Sequence, residues 1–162
     1  MEILFLAVFA VVLCFGFVLL VGAPYLPTLA PQTKAAIELV DLKKGQHLLE
    51  LGCGDGRVLI AAAQQGLRAT GYELNPLLAL LAWLRTRRYH GRVKVVCGNF
   101  WNVKLPPAEG IFVFLLPKYM SKLDKKVIQQ SSKPVKLVSF AFKIDGKKPD
   151  REKAGVLLYI YK

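Results

Sequence analysis

The sequence predicts an α/β protein in which helices cover both faces of a doubly wound, mostly parallel sheet. Strand-like and helix-like segments alternate along the chain, which is the order that βαβ units produce. Residues 111–116 are apolar throughout, as a strand buried on both faces should be. With 162 residues, the chain has room for one such domain after its N-terminal stretch.

Each predicted element has its own local signal. Residues 32–42 have the apolar spacing of an amphipathic helix, and a Lys-Lys-Gly sequence ends it. Asn75 supplies a capping side chain and Pro76 a rigid first turn for a helix that runs to about residue 90. Trp83 on this helix is expected in the core. The other predicted elements are a helix after residue 57, a helix near 121–129, and strands near 48–51, 68–73, 93–97, 111–116, 136–142 and 156–161.

A glycine-rich turn follows the first strand. Gly52, Gly54 and Gly56 occupy alternate positions there. Glycine has no Cβ and readily adopts positive φ, so a ligand can approach the backbone closely. The first amides of the following helix are free hydrogen-bond donors. This pattern is typical of a nucleotide-type binding turn.

The charges around the turn narrow the ligand class. A dinucleotide fold uses Gly-x-Gly-x-x-Gly, with the pyrophosphate at the helix N-terminus. Here the spacing is Gly-x-Gly-x-Gly, with Glu50 before it and Asp55 inside it. Two carboxylates disfavour a pyrophosphate and favour a ligand that carries an ammonium and a sulfonium. Glu73, at the end of the second strand, is placed to accept hydrogen bonds from ribose hydroxyls.

Three motifs together resemble the class I S-adenosylmethionine-dependent methyltransferases. They are LELGCGDGR at residues 49–57, GYELNP at 71–76 and CGNF at 97–100. The resemblance implies a Rossmann-like fold with S-adenosylmethionine as the cofactor. From the methionine part through the ribose to the adenine, it implies that the cofactor-binding residues are Glu50, Gly52, Gly54, Asp55, Gly56, Glu73, Asn99 and Phe100.

Further motifs resemble the membrane-anchored class I protein-lysine methyltransferases. This family includes enzymes for the c-ring protein of ATP synthase and the adenine nucleotide translocase, and a broad-specificity archaeal relative. The motifs are PYLPT at 24–28, GNFWNVKL at 98–105, FVFLLPKYMSKLDKK at 112–126 and LVSFAFKIDG at 137–146. The resemblance implies methyl transfer to a lysine of a membrane or membrane-proximal protein.

Aromatic residues are the candidates for the substrate channel. Tyr25, Phe114 and Tyr119 are suited to line it, because an aromatic wall accommodates an alkyl stem that ends in a cation. Core packing is the alternative explanation for each of them. No residue is an obvious general base.

The N-terminal residues predict a membrane anchor. Residues 3–23 contain no charge, and a helix of that length spans about 30 Å, the thickness of a bilayer's hydrocarbon core. A cleaved signal peptide is the alternative, but it normally starts with positive charge and has a shorter apolar core. The predicted organisation is an anchor at 1–23, a proline-rich linker at 24–33 and a methyltransferase domain at 34–162.

Charge and cysteine usage predict the side of the membrane. All 23 Lys and Arg residues follow the apolar stretch, starting at Lys34. The positive-inside rule therefore places the C-terminal domain on the cytoplasmic side. Cys14, Cys53 and Cys97 form neither a disulfide framework nor a metal-binding pattern, so no metal is expected.

The net charge of +12 indicates an anionic partner of some kind. Such a surplus attracts anionic lipid head groups, acidic proteins or nucleic acid. Membrane lipid, contacted through the N-terminal helix, is the expected partner. RNA is less favoured, because no recognisable RNA-binding motif is present.

The C-terminal part departs from the family pattern. Relatives have a longer segment between the fifth and last strands than residues 145–150 provide. A C-terminally shortened sheet, with one of seven strands missing and an open substrate wall, is therefore expected. Two alternatives to a lysine methyltransferase follow: a methyltransferase for a lipophilic small molecule or RNA, and a cofactor-binding protein that has lost catalysis.

Overall fold

The computed structural model describes residues 1, 2, 4, 5, 8, 9, 12, 16, 25–131 and 133–162. The predicted anchor therefore lies largely outside the described residues. No helix in the described part of the chain has the length and hydropathy needed to cross a bilayer.

Seven strands form one sheet within residues 25–131 and 133–162. They are β1 (His47–Leu51), β2 (Arg68–Glu73), β3 (Val93–Cys97), β4 (Gly110–Val113), β5 (Val135–Phe140), β6 (Arg151–Lys153) and β7 (Val156–Tyr161). Their order in the sheet is β3-β2-β1-β4-β5-β7-β6. Strands β1 to β5 pair in parallel, and β7 runs antiparallel between β5 and β6. The predicted mostly parallel, doubly wound sheet is confirmed.

Four α-helices lie in the same described ranges, and they cover both faces of the sheet. They are α1 (Ala30–Val40), α2 (Arg57–Gln64), α3 (Pro76–Thr86) and α4 (Pro117–Gln130). Single turns of 3₁₀ helix follow α3 at Arg87–Tyr89 and β3 at Phe100–Asn102. Buried residues of α1, α2 and α3 form one apolar cluster with the sheet, and those of α4 form a second.

Alternation along the central strands explains the two clusters, because successive strand side chains point to opposite faces. Leu48 of β1 and Phe112 of β4 pack with α1 to α3. Their neighbours Leu49 and Ile111 pack with α4. Since the chain reverses its direction of winding between β1 and β4, the carboxyl ends of these two strands form the crevice in which such sheets bind ligands.

The expectation of a missing strand is wrong. Residues 151–153 form β6, which pairs with β7 across a turn at Ala154 and Gly155. Both turn residues have positive φ, at 51° and 74°, as the favoured two-residue hairpin requires. All three residues of β6 are exposed and give no apolar pattern, which is why the sequence did not predict the strand. The complete sheet removes the reason for expecting a protein that has lost catalysis.

The segment between β5 and β6 is packed, so the expected open wall is not observed here. Nζ of Lys147 forms an ion pair with Asp124 of α4 at 2.6 Å. Ile144 is buried, and its N–H donates to the hydroxyl of Tyr159 at 3.1 Å. This segment therefore lies against α4 and β7 despite its shortness.

Two helices begin earlier than the sequence predicts. Helix α4 starts at Pro117, four residues before the predicted start, and α1 starts at Ala30, inside the predicted linker. Each has a proline in its first two positions. The first turn of a helix leaves its N–H groups unpaired, so a proline there costs no hydrogen bond and marks a helix start.

Gly71 in β2 leaves no room for a side chain. A Cβ there would lie 2.7 Å from both Cβ and Sγ of Cys53 and from Cδ1 of Leu59. We expect Gly71→Ala to lower the free energy of unfolding by about 1–3 kcal/mol, because overpacking displaces these neighbours. Gly98→Ala is the matched control, since a Cβ there meets no described atom within 4 Å. Equal stabilities of the two variants in urea unfolding would contradict the crowding at Gly71.

Candidate active site

The glycine turn after β1 is held against β2 by backbone hydrogen bonds. The N–H groups of Gly52 and Cys53 both donate to the carbonyl of Tyr72, at 2.9 Å each. Gly52, Gly54 and Gly56 all have positive φ, at 88°, 51° and 80°. Other residues are strained in this region, which explains the alternating glycines. Gly56 is also the N-cap residue of α2.

Glu73, the last residue of β2, joins this turn to the start of α3. Its Oε2 accepts a hydrogen bond from the N–H of Gly54, and its Oε1 accepts one from the N–H of Asn75, both at 2.8 Å. Asn75 caps α3, because its Oδ1 accepts from the N–H of Leu77 at 2.9 Å. Each carboxylate oxygen has a second lone pair, so Glu73 retains the capacity to accept from a ribose hydroxyl.

Glu50, in β1 just before the turn, is 3% exposed. Its Oε2 has no hydrogen-bond partner among the described residues. Burial, together with repulsion from Glu73 and Asp55, raises the pKa of Glu50 well above its ordinary value. A buried carboxyl without a partner is costly, and a cation placed against it offsets that cost. The position therefore suits a ligand with an ammonium group.

Asp55 is paired with two arginines. Its carboxylate accepts hydrogen bonds from Nε of Arg57 at 3.0 Å and from Nη2 at 2.8 Å, and it pairs with Arg85 of α3. Burial raises the pKa of Asp55, but the hydrogen bonds and charges of the two arginines outweigh burial and hold that pKa below its ordinary value. Asp55 thus holds the turn to α2 and α3, and its direct contact with the cofactor stays a prediction.

Tyr25 covers the same turn. A Cβ built at Gly54 would lie 2.8 Å from Cε2 of Tyr25, so the ring packs directly on this glycine. Burial, together with the charge of Asp55, raises the pKa of Tyr25. Nη1 of Arg57 donates to the carbonyl of Thr28 at 2.9 Å. The segment before α1 is therefore part of the wall around the turn.

Asn99 and Phe100 lie in the loop after β3. Oδ1 of Asn99 accepts from the N–H of Trp101 at 3.0 Å and begins a 3₁₀ turn. Phe100 is buried, with its ring centroid 4.6 Å from that of Trp101. The N–H of Gly98 donates to the carbonyl of Glu73 at 2.8 Å. The predicted adenine loop and the predicted ribose-binding acid are thus directly connected.

Lys126 of α4 supports this loop, and the sequence did not single it out. Its Nζ donates to the carbonyl of Val103 at 2.8 Å and to that of Trp101 at 3.3 Å. Burial, together with the charge of Lys122, lowers the pKa of Lys126. The position of Lys126 three residues after the buried Leu123 was the available signal, because residues at that spacing share a helix face.

Phe114, Phe140 and Phe142 form a group at the carboxyl ends of β4 and β5, which we call the aromatic wall. The ring centroid of Phe114 is 4.5 Å from that of Phe140 and 6.2 Å from that of Phe142. Ala141 has a positive φ of 68°, and the N–H of Phe142 donates to the carbonyl of Phe140 at 2.9 Å. This tight turn brings both rings to Phe114. The sequence identified Phe114 but neither of its two partners.

The structure places the three predicted channel residues in three different surroundings. Tyr25 lies on the glycine turn and Phe114 in the aromatic wall. The ring centroid of Tyr119, on α4, is 6.0 Å from that of Trp101. All three candidates are half-buried, as residues that line a site would be. Their contact with a substrate stays a prediction.

The site fits the ligand class that the sequence predicts. A Cβ built at Gly52 meets no described atom within 4 Å, so there is space in front of the turn. The unpaired oxygen of Glu50 lies directly before the same turn in the chain. Space beside positive-φ glycines and an unpaired buried acid together suit a cationic nucleoside such as S-adenosylmethionine.

This strand order, glycine turn and pair of strand-end acids define the class I fold of the S-adenosylmethionine-dependent methyltransferases. The likeness to solved enzymes of this class is close. A crystal structure of an RNA methyltransferase from Salinibacter ruber with S-adenosyl-L-homocysteine superposes with a TM-score of 0.77 at 29% identity. The match covers 84% of this chain and 92% of that one.

The chain belongs to the family described as the ANTKMT methyltransferase domain, which matches residues 50–151. The human ATP synthase c-subunit lysine N-methyltransferase is 31% identical over 129 residues, which is 78% of this chain and 55% of that protein. A protein-lysine N-methyltransferase of Saccharolobus islandicus is 31% identical over 130 residues, with 78% of this chain and 81% of that protein covered. The chain thus spans about half the length of the human and mouse ATP synthase-modifying enzymes it matches.

Glu50 is the residue whose loss should affect the cofactor most directly. We expect Glu50→Gln to weaken S-adenosylmethionine binding about 10- to 100-fold, the effect of losing one hydrogen bond between charged groups. Isothermal titration calorimetry measures this change. Glu38→Gln on the outer face of α1 is the control and should bind like the wild type. Unchanged affinity in Glu50→Gln would exclude a contact with the cofactor's ammonium.

The raised pKa of Glu50 also predicts a pH dependence of stability. In the unfolded chain this carboxyl ionises near its ordinary pKa of 4.5, whereas burial keeps it protonated to higher pH in the folded, ligand-free protein. The wild type therefore loses stability as the pH rises from 4.5 through the folded pKa. We expect the difference in melting temperature between Glu50→Gln and the wild type to grow over that range. A difference independent of pH would contradict the raised pKa.

Proposed function

We propose that this chain is an S-adenosylmethionine-dependent protein-lysine N-methyltransferase. One observation carries the proposal. The family match over residues 50–151 and the alignment with an archaeal protein-lysine N-methyltransferase extend over the segments that hold the glycine turn, Glu73, Asn99 and the aromatic wall. The chain therefore shares with its relatives both the cofactor segments and the region where a substrate would enter.

The cofactor would be held by residues from three neighbouring strand ends. Glu50 would pair with the ammonium group of the methionine part, and Glu73 would accept hydrogen bonds from the ribose. Asn99 and Phe100 would contact the adenine. When bound, S-adenosylmethionine supplies a methyl group on a positively charged sulfur. The support for this arrangement is the unpaired Oε2 of Glu50 and the direct link between Glu73 and Gly98.

The protein's further task would be to present a lysine as a neutral amine. A lysine ammonium has no lone pair, so its proton must leave before transfer, and apolar surroundings lower a lysine pKa. The aromatic wall offers such surroundings. Residues 110–123, which include β4 and the start of α4, contain no Asp or Glu that would stabilise the ammonium. Solvent would receive the proton, since no general base is evident there.

We also propose that the apolar residues 3–23 anchor the protein in a membrane with the domain on the cytoplasmic side. The support is the absence of charge from this stretch and the position of all 23 Lys and Arg residues after it. The substrate would then be a membrane protein or a protein close to the membrane. Protease protection of sealed vesicles tests the orientation, and a domain protected from protease outside such cells or organelles is expected.

RNA methylation is the second candidate function. It is favoured by the likeness to the Salinibacter ruber RNA methyltransferase and by the net charge of +12. A sequence-independent attraction to phosphate would follow from such a charge. The structure-based likeness and the sequence-based relatives therefore point to different substrates, and the substrate itself must decide.

Methyl transfer to native membranes distinguishes these candidates. The full chain is incubated with membranes and tritiated S-adenosylmethionine, with Glu73→Ala as the inactive control. Label recovered as methyl-lysine after acid hydrolysis, and absent with Glu73→Ala, is the expected result. Label that ribonuclease removes would support RNA as the substrate. Label that organic solvent extracts would instead support a lipophilic small molecule.

The aromatic wall predicts a loss confined to the substrate. We expect Phe114→Ala to lower kcat/KM for the protein substrate about tenfold through the lost aromatic contact, with the dissociation constant for the cofactor unchanged. Phe114→Leu is the matched control, because it keeps most of the apolar volume without an aromatic face. Steady-state kinetics and calorimetry measure the two constants. Full activity in Phe114→Leu would show that the aromatic face is not used.

A further inference from the structure

Helix α3 presents large apolar side chains to solvent. Leu77, Leu80, Leu81 and Leu84 are between 39% and 53% exposed. Successive steps of three, one and three residues place them on one face of the helix. We call this row the leucine stripe.

The opposite face of α3, which packs on β2 and β3, consists mostly of small side chains. The buried residues of α3 are Leu78, Ala79, Ala82 and Thr86. A helix on a water-soluble domain normally turns its large apolar residues inward. Here small residues face the sheet, so Trp83 is 54% exposed and the expectation that it lies in the core is wrong. Packing within the described domain does not account for the leucine stripe.

The surroundings of the leucine stripe are basic. Arg87 and Arg88 follow it directly, are exposed, and form no ion pair with any residue that the structure describes. From residue 74 to residue 108 the sequence contains six Lys and Arg and no Asp or Glu. Apolar side chains beside an exposed Trp and unpaired arginines are the composition of helices that lie in a membrane interface.

The described N-terminal segment is connected to α3. Arg85 of α3 pairs with Asp55, which also holds Arg57. Arg57 donates to the carbonyl of Thr28, and Tyr25 packs on the glycine turn beside them. Residue 25, which comes two positions after the apolar residues 3–23, thus lies in the same network of contacts as the C-terminal end of α3. A bilayer that receives the apolar residues would lie within reach of α3.

We propose that the leucine stripe docks on the surface of an anionic lipid bilayer. The four leucines and Trp83 enter the boundary between head groups and acyl chains, to a depth of about 5–10 Å. Arg87 and Arg88 pair with lipid phosphates. This docking is independent of the proposed activity and of the anchor, because it concerns a helix face outside the cofactor site.

A second copy of the chain is the less favoured occupant. A symmetric dimer brings the same surface of both copies together. Contact through the leucine stripe would therefore place the arginines of the two copies beside one another with no acid between them. An anionic bilayer satisfies the apolar and the basic parts of this surface at once.

Trp83 provides the probe for this proposal. The chain has two tryptophans, so Trp101→Phe leaves Trp83 as the one emitter. The full-length variant is reconstituted into vesicles of phosphatidylcholine and phosphatidylglycerol that carry bromine on the acyl chains. We expect bromine near the head-group end to quench Trp83 strongly, and acrylamide in the water to quench it weakly. If Trp101→Phe does not fold by circular dichroism, the difference between wild type and Trp83→Phe gives the same signal.

A matched pair of variants separates the leucine stripe from general hydrophobicity. In the Trp101→Phe background, Leu80→Gln with Leu84→Gln should remove the bromine quenching and restore quenching by acrylamide. Ile128→Gln on α4 changes a side chain that is 56% exposed and should leave both signals unchanged. Replacing phosphatidylglycerol by phosphatidylcholine should weaken the bromine quenching, because the arginines lose their anionic partners.

Three outcomes would overturn the proposal. Trp83 open to acrylamide and unquenched by bromine would mean that the stripe faces water. Trp83 protected from acrylamide but unquenched by bromine would mean that protein covers it, either a second copy or the chain's own N-terminal residues. Bromine quenching that survives Leu80→Gln with Leu84→Gln would mean that other residues hold Trp83 at the membrane.

Discussion

The carboxylate of Glu73 is the contact on which the arrangement of the site depends. Its two oxygens accept from the N–H groups of Gly54 and Asn75, and its own carbonyl accepts from the N–H of Gly98. The turn after β1, the start of α3 and the loop after β3 therefore meet at one residue. A buried carboxylate needs such donors, so the three segments and the acid stabilise one another. The crevice between β1 and β4 acquires its shape in this way.

Charge is distributed unevenly between this crevice and the surface. The chain carries 23 Lys and Arg against 11 Asp and Glu, yet Glu50, Asp55 and Glu73 are all buried around the turn. A local concentration of acid within a basic molecule lets the two regions favour different ligands. The interior favours a small cation, while the long-range field attracts anionic surfaces. Arg57 and Arg85 neutralise one of the three acids and so limit their mutual repulsion.

The features predicted correctly from the sequence are those that depend on neighbouring residues. The Gly-x-Gly-x-Gly turn, the Asn75 cap and the alternating strands are local patterns, and the structure contains them. The pairing of Asp55 with Arg85 joins residues 30 positions apart, and the aromatic wall depends on the conformation of Ala141. Periodicity showed that α3 is apolar but not which of its faces meets the sheet. That choice depends on the fit of small side chains against β2 and β3.

Strand β6 has a consequence for how densely the protein can accumulate. It ends the sheet with three exposed residues, two of them basic and one acidic. Open sheet edges readily recruit a strand from another molecule, and charge on the edge opposes this. On a two-dimensional surface, where neighbouring molecules meet more often than in free solution, a short charged border keeps each sheet from extending into the next. The hairpin that completes the fold thereby also favours dispersal over fibre growth.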